Sequence, residues 1–465
     1  MSETPKNQSR RRPDMDTLYS INTDGSRNFI HPADVRGRWQ NRINALWFFV
    51  LAVYFGLPWL QLGDKPAVLV DLPGRQAFLL GTTFTNQDFY LMFFLLTGIG
   101  FALFVVTAIW GRVLCGFACP QTIFLEGIFR RAERLIEGYH LDRIRRNRGP
   151  NTFDKVWRKI IKHLIFIIIA SICAHTFIAY FIPVRELLAR IAGGTHLWST
   201  SFVWALCWTG ILYFNYSWFR EQTCLIICPY GRLQSSLIDS DTIIIGYDKK
   251  RGEPRGGGKE MGGDCIDCFR CVDVCPTGID IRNGLQMECL GCTRCIDACD
   301  ETMSRIKKPR GLIRFDSLRG FASEGKHSWR RPRVLIYAFF GLLGIVISLW
   351  AGTNREEYQA NILRARGMPY VMEEERIRNL FNLHIQNKSS EPAVYGIASA
   401  AENSSELEFI IPQMEVALAS GEDFEVPIFV YLPKSAYNDE IPLSFQITYQ
   451  TTGDKKIVAT LFRGP

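Results

Sequence analysis

Cys265-Ile-Asp-Cys268-Phe-Arg-Cys271-Val-Asp-Val-Cys275-Pro276 and Cys289-Leu-Gly-Cys292-Thr-Arg-Cys295-Ile-Asp-Ala-Cys299-Asp300 share one spacing, C-x2-C-x2-C-x3-C. Three thiolates at C-x2-C-x2-C curl around one iron–sulfur cube, and the distant fourth cysteine cannot close back on it. The spacing therefore predicts two crossed 4Fe-4S sites. One takes Cys265, Cys268 and Cys271 with Cys299; the other takes Cys289, Cys292 and Cys295 with Cys275. A zinc knuckle would draw four ligands from two C-x2-C pairs and would leave the third cysteine of each run without a role. Asp300 stands where the first run has Pro276. Ligation does not need the proline, so the replacement bears on the second cluster's surroundings only.

Outward from this insert the chain turns apolar. Five uncharged stretches, Ile43–Leu62, Phe89–Trp110, Leu164–Val184, Leu197–Phe219 and Val334–Gly352, approach the roughly 20 residues that cross a bilayer as helix. Most carry Trp or Tyr near an end, as interfacial anchors do. Residues 1–42 are polar, hold eight Lys+Arg and show no cleavable signal peptide. Twelve more Lys+Arg fall in residues 111–162, whereas the stretch Gly63–Asp88 has only Lys65 and Arg75. Basic residues beside membrane segments follow the positive-inside rule, which accounts for them better than nucleic-acid binding does. The expected topology puts the N-terminus and the clusters in the cytoplasm. Residues from Thr353 onward, with 10 Lys+Arg against 16 Asp+Glu, then lie outside.

The membrane part repeats itself. Cys115-Gly-Phe-Ala-Cys119-Pro120 follows the second apolar stretch and Cys224-Leu-Ile-Ile-Cys228-Pro229 the fourth, each leading into an amphipathic segment. Two hairpins ending in the same C-x3-C-P suggest a duplicated unit whose halves face one another. Proline breaks the helix there and lets both cysteines of a pair turn to one site. Cys173, His175 and Cys207 lie within apolar stretches and read as bundle packing, with a copper or quinol role open for His175. His163, between the basic end and the third stretch, reads as interfacial. Arg270 and Arg294 hold matching slots in the two runs and read as solvated surface. Asp264, Asp267, Asp273 and Asp297 bring negative charge near the clusters, which would keep their potentials low.

The order of parts is then 1–42, a cytoplasmic segment; 43–240, a four-helix membrane domain; and 241–263, a Gly-rich linker. Next come 264–330, a two-cluster ferredoxin-like domain, 334–352, a fifth transmembrane helix, and 353–465, an exported domain. From Asn379 short alternating runs separated by turn signals, as at Lys388–Pro392, predict an all-β sandwich of immunoglobulin type.

Twin C-x3-C-P motifs, a two-cluster insert, a last helix and an exported β domain resemble the polyferredoxin-type accessory proteins of cbb3-type cytochrome c oxidase. That resemblance implies an inner-membrane oxidoreductase, a cupric reductase that makes Cu(I) for the oxidase's copper centre. It also implies copper as substrate or bound ion, a cytosolic electron donor, and oxidase assembly factors or copper carriers as partners. Cys115, Cys119, Cys224 and Cys228 match the family's membrane cysteines and become the catalytic and metal-binding candidates. The chemistry agrees, since thiolates favour Cu(I) while nitrogen and oxygen favour Cu(II). The competing readings are an electron relay to or from quinol, and an iron–sulfur sensor or scaffold without turnover. No C-x-x-C-H haem motif occurs.

Overall fold

The computed structural model describes residues 29–465 except 64, 86–87, 257–261, 323–327, 329, 355, 374, 390, 401–402, 404–405 and 438–440. Most of the polar N-terminal segment and the middle of the Gly-rich linker therefore lie outside the described residues. The chain divides into two compact units, Met1–Trp59 with Phe93–Ile347, and Leu60–Met92 with Ser348–Pro465.

Four helices among the described residues are long and apolar enough to cross a membrane: Arg38–Trp59, Tyr90–Trp110, Phe153–Ile178 and Pro332–Thr353. The helix that begins at Arg38 has no side-chain cap of its own. Asp297, from the second cysteine run, supplies one by accepting from Gln40 N at 2.7 Å and Trp39 N at 3.3 Å. A carboxylate there satisfies orphan amides and complements the helix dipole. The second and last apolar helices meet through glycines: a Cβ on Gly344 would lie 2.9 Å from Phe94 O. Small residues that admit close backbone approach are how helices pack where apolar burial gives little drive.

Two expected spans differ from what forms. The helix expected over Leu164–Val184 begins eleven residues earlier, at Phe153, and ends at Ile178. Lys155, Lys159 and Lys162 are good helix formers, and charge marks the end of a span rather than of a helix. Over Leu197–Phe219 the chain makes an α-helix only for Thr200–Phe214, continued by a π-helical turn, Asn215–Phe219. Fifteen α-helical residues reach about 22 Å, short of the roughly 30 Å apolar core.

The insert begins before the expected linker ends. Strand Ile243–Tyr247 pairs antiparallel with Ile313–Ser317, so the segment taken as linker supplies part of the insert's core. Ile245, Tyr247, Ile281, Ile296, Met303, Leu312 and Ile313 bury themselves there with Cys265 and Cys271.

The second unit is all-β. One sheet has the strand order Glu408–Ile410, Asp423–Pro433, Arg376–Asn387, Tyr358–Arg364, with Val371–Glu373 pairing Arg376–Asn387. The other runs Glu415–Leu418, Ala393–Ser399, Ile441–Tyr449, Lys455–Phe462. Alternate residues of both sheets, among them Phe381, Ile428, Tyr395 and Phe445, are fully buried in one core. The stretch Gly63–Asp88, poor in basic residues, forms small antiparallel strands, Val68–Asp71, Gln76–Leu79 and Thr82–Thr85. It joins this unit: Gln76 donates to Gly421 O at 2.9 Å, and Lys388 pairs with Asp88 at 3.4 Å with both side chains buried.

Candidate iron–sulfur and cysteine centre

The two cysteine runs fold alike. Asp267 and Gly291 hold matching slots at φ 55° and 67°, and Phe269 and Thr293 match at 56° and 60°. Left-handed backbone at a non-glycine costs of order 1–3 kcal/mol and persists where surroundings enforce it, typically at functional sites. Phe269 and Thr293 then start helices, Arg270–Asp273 and Arg294–Arg305. The longer second helix passes through Asp300, which explains the missing proline. Asp300 instead accepts from Gly311 N at 2.9 Å.

One cavity is lined by Cys265, Cys268, Cys271 and Cys299, with Tyr247, Phe269 and Met303. A second is lined by Cys275, Cys289, Cys292 and Cys295, with Ile245, Ile279 and Ile281; Cys271 also borders it. Each cavity draws three thiols from one run and a fourth from the other. Burial pushes the Cys289 thiol up to about 11 and Cys292 and Cys299 up to about 12, and raises Cys271 and Cys295 as well. Four cysteines around each pocket are the donor set that a 4Fe-4S cube takes, so the residues present fit two such cubes.

The acidic residues are engaged rather than free to charge the clusters. Asp264 pairs with Arg251 and Lys308, Asp267 with Arg282, and Asp297 caps the first helix. The two arginines are not plain surface either. Arg270 donates to Asp34 O at 3.1 Å, and Arg294 pairs with Glu126 at 2.8 Å, largely buried.

The C-x3-C-P repeat makes the same turn twice. Cys119 and Cys228 are both N-caps in extended backbone (ψ 124° and 110°), and Pro120 and Pro229 open the helices Pro120–Phe124 and Pro229–Leu237. The residue before proline is pushed out of the helical region, while proline suits the first helical position. Gln121 and Asn215 exchange amide hydrogen bonds of 2.7 and 3.2 Å between the halves. The four thiols gather: Cys119 is the strongest electrostatic neighbour of both Cys115 and Cys224, and Cys228 also acts on both. Burial pushes Cys115 up to about 11, although its thiol donates to Gln234 Oε1 at 3.2 Å, and raises Cys224 too. Among the described residues, no three His, Cys, Asp or Glu side chains could hold one metal ion together.

The quartet abuts the second cavity. A Cβ on Gly116, inside the first pair, would lie 2.8 Å from the Cys292 backbone, and one on Gly291 would lie 2.8 Å from Arg112 O. Arg112 donates to Met287 O and Gly231 O, tying both halves to the insert. Beside this contact runs a buried ion network. Arg130 joins Glu126 and Glu221, while Arg220, Arg143 and Lys162 converge on Glu133. It left no spacing signal in the sequence. Cys173 is buried in the Phe153–Ile178 helix, and Cys207 is exposed. His163 accepts or donates at Tyr213 Oη, 3.0 Å away.

A 4Fe-4S dicluster domain model matches residues 219–318, a 4Fe-4S binding domain model residues 91–145, and the model for the IG-like fold at the C-terminal of FixG residues 348–465. Protein RdxA of Cereibacter sphaeroides is 36% identical over 396 residues, covering 79% of this chain and 81% of its own. The chain belongs to the FixG/RdxA family. Protein RdxB of the same organism is 34% identical over 80% of this chain and 82% of its own. Nitrogen fixation protein FixG of Rhizobium meliloti is 31% identical over 81% and 80%. A crystal structure of a FixG-related protein from Vibrio parahaemolyticus aligns over 23% of this chain and 96% of that chain, at 13% identity and a TM-score of 0.20. As a FixG/RdxA protein with four apolar helices, the chain is a membrane-associated iron–sulfur oxidoreductase of the electron-transfer type.

Proposed function

We propose that the protein reduces Cu(II) to Cu(I) for assembly of the copper centre of cbb3-type cytochrome c oxidase. Electrons come from a cytosolic donor. Cys265, Cys268, Cys271 and Cys299 would hold one 4Fe-4S cluster, and Cys275, Cys289, Cys292 and Cys295 the other. The clusters supply single electrons, which is what one Cu(II) requires. Cys115, Cys119, Cys224 and Cys228 receive copper as substrate. A soft ion such as Cu(I) is stabilised by thiolates, and two suffice for it, so a quartet that does not converge on one point still serves.

The observation that carries this reading is the backbone contact of Gly116 with Gly291 and Cys292, which puts the thiol quartet against the second cluster cavity. The chain crosses the inner membrane five times in this reading, with the π-extended helix from Thr200 as the fourth crossing. The clusters face the cytoplasm. The β domain, an immunoglobulin-like sandwich, faces the periplasm and meets a copper carrier or an assembling oxidase. Docking of residues 60–92 on that domain supports the topology, because both must then lie on one side.

The test is anaerobic. Chemically reduced protein, freed of excess reductant, receives Cu(II) and a Cu(I)-specific chromophoric chelator. Cluster reoxidation matched by Cu(I) formation is expected; clusters that stay reduced would exclude the function. A second reading is favoured by the 4Fe-4S binding domain match to residues 91–145, whose cysteines are Cys115 and Cys119. There the quartet holds a third cluster, and iron analysis would give about 12 iron atoms per chain in place of about 8.

A further inference from the structure

His175 and His196 bring their Nε2 atoms within 3.3 Å of each other, close enough for one to donate to the other. His175 Nδ1 sits 2.8 Å from the Ser171 carbonyl, which can only accept, so Nδ1 carries the proton. In the neutral ring the Nε2 lone pair then faces His196. A backbone carbonyl that fixes one ring nitrogen as the donor and leaves the other bare is the usual support of a metal-binding histidine. His196 is itself held in place. It is 5% exposed, the Phe202 ring meets it edge-on at 5.4 Å, and Ser199 Oγ donates to its carbonyl at 2.6 Å. Two nitrogens 3.3 Å apart, each about 2.0–2.1 Å from a metal, subtend about 105–110° at it, an angle compatible with metal ligation.

The pair lies at the far end of the Phe153–Ile178 helix from its lysines, about 20 Å along the axis from Lys162. A side-chain path leads from it towards the quartet. Cys173, two residues before His175, accepts from Tyr54 Oη at 2.8 Å through its carbonyl. The Tyr54 ring meets Phe124, just beyond Cys119-Pro120, at 5.2 Å.

We propose that His175 and His196 form a nitrogen site that takes Cu(II) at the end of the bundle opposite Lys155, Lys159 and Lys162. Imidazole suits the divalent ion, which stands at the top of the divalent affinity order, while the thiol quartet suits the reduced ion. Ligand type thus sorts copper by oxidation state between two sites of one chain. Two protein ligands with the remaining positions open to water suit loading rather than storage. The choice of copper rests on the reductase reading; the metal site itself does not.

The experiment uses full-length protein in nanodiscs, with clusters oxidised and no reductant present, titrated with Cu(II) below one equivalent. Parent protein is expected to give a Cu(II) EPR signal with hyperfine structure from two nitrogens. His196→Asn and His175→Gln should each lose one nitrogen and weaken binding at least tenfold, with iron content unchanged. His140→Ala, on a different helix, should match the parent. Unchanged hyperfine structure and affinity in both variants would overturn the site. Because no electron is supplied, that result is independent of whether the parent reduces copper.

Discussion

The insert and the thiol quartet use the same residue in two different ways. In the insert, eight cysteines line two apolar cavities on loops held in left-handed backbone, with each fourth thiol borrowed from the other run. In the quartet, two thiols from each half of the membrane domain lie near one another on two proline-opened turns. Strained loops around a cavity describe a cradle for a resident cofactor. In the proposed reading, the two proline-opened turns are instead a place that a substrate ion enters and leaves.

The largest expected effect breaks the cradle. Cys275→Ser removes the borrowed ligand of the second cavity, so iron should fall by about half and the EPR signal of the cluster held by Cys289, Cys292 and Cys295 should be the one lost. Loss of only the Cys265 cluster would refute the crossed pairing. The next effect separates cradle from quartet. Gly116→Val drives a side chain into the Cys292 backbone, which must shift. The cluster held by Cys265, Cys268 and Cys271 should assemble, while Cu(II) reduction slows about tenfold or more, because misplacement by about 1 Å is costly for a reaction between fixed partners. A variant with parent rates would mean that electrons reach copper by another route.

The smallest effect comes from acid. Burial works against the charges of Glu126 and Glu133, yet Arg130 and Arg294 on the first, and Arg220, Lys162 and Arg143 on the second, outweigh it and hold both carboxyls below the usual range. Stability from these groups is complete above their unfolded value of about 4.3 and is lost as pH falls through the native values. Burial likewise lowers His31 to about 4, so its neutral form contributes stability that fades between about 6.5 and 4. Thermal unfolding followed from pH 7 to 2 should show a loss below about pH 4.3 that E133Q reduces. An equal loss in that variant would remove Glu133 from the account.

Periodic and spaced signals were legible before folding; contacts across sequence were not. Cysteine spacing gave the cavity sets, because ligand geometry is local to each run. Apolar length gave four helices, but the π turn after Phe214 follows from packing and left no mark in composition. The β domain's strand Tyr358–Arg364 lies before Asn379, where clear alternation begins. Asp297 looked like a charge near a cluster and proved to be the cap of a helix more than 250 residues away in sequence. Arg294 looked solvated and is paired with Glu126 in the interior. Long-range partners of buried charges cannot be read from one strand of sequence, since any of many acids could meet them.

The central claim is that the quartet passes cluster electrons to copper, and the double variant Cys119→Ala, Cys228→Ala tests it most directly. With the chelator assay applied to protein whose iron content matches the parent, copper binding and Cu(II) reduction should both fall severalfold. Reduction at the parent rate with both clusters intact would contradict the account.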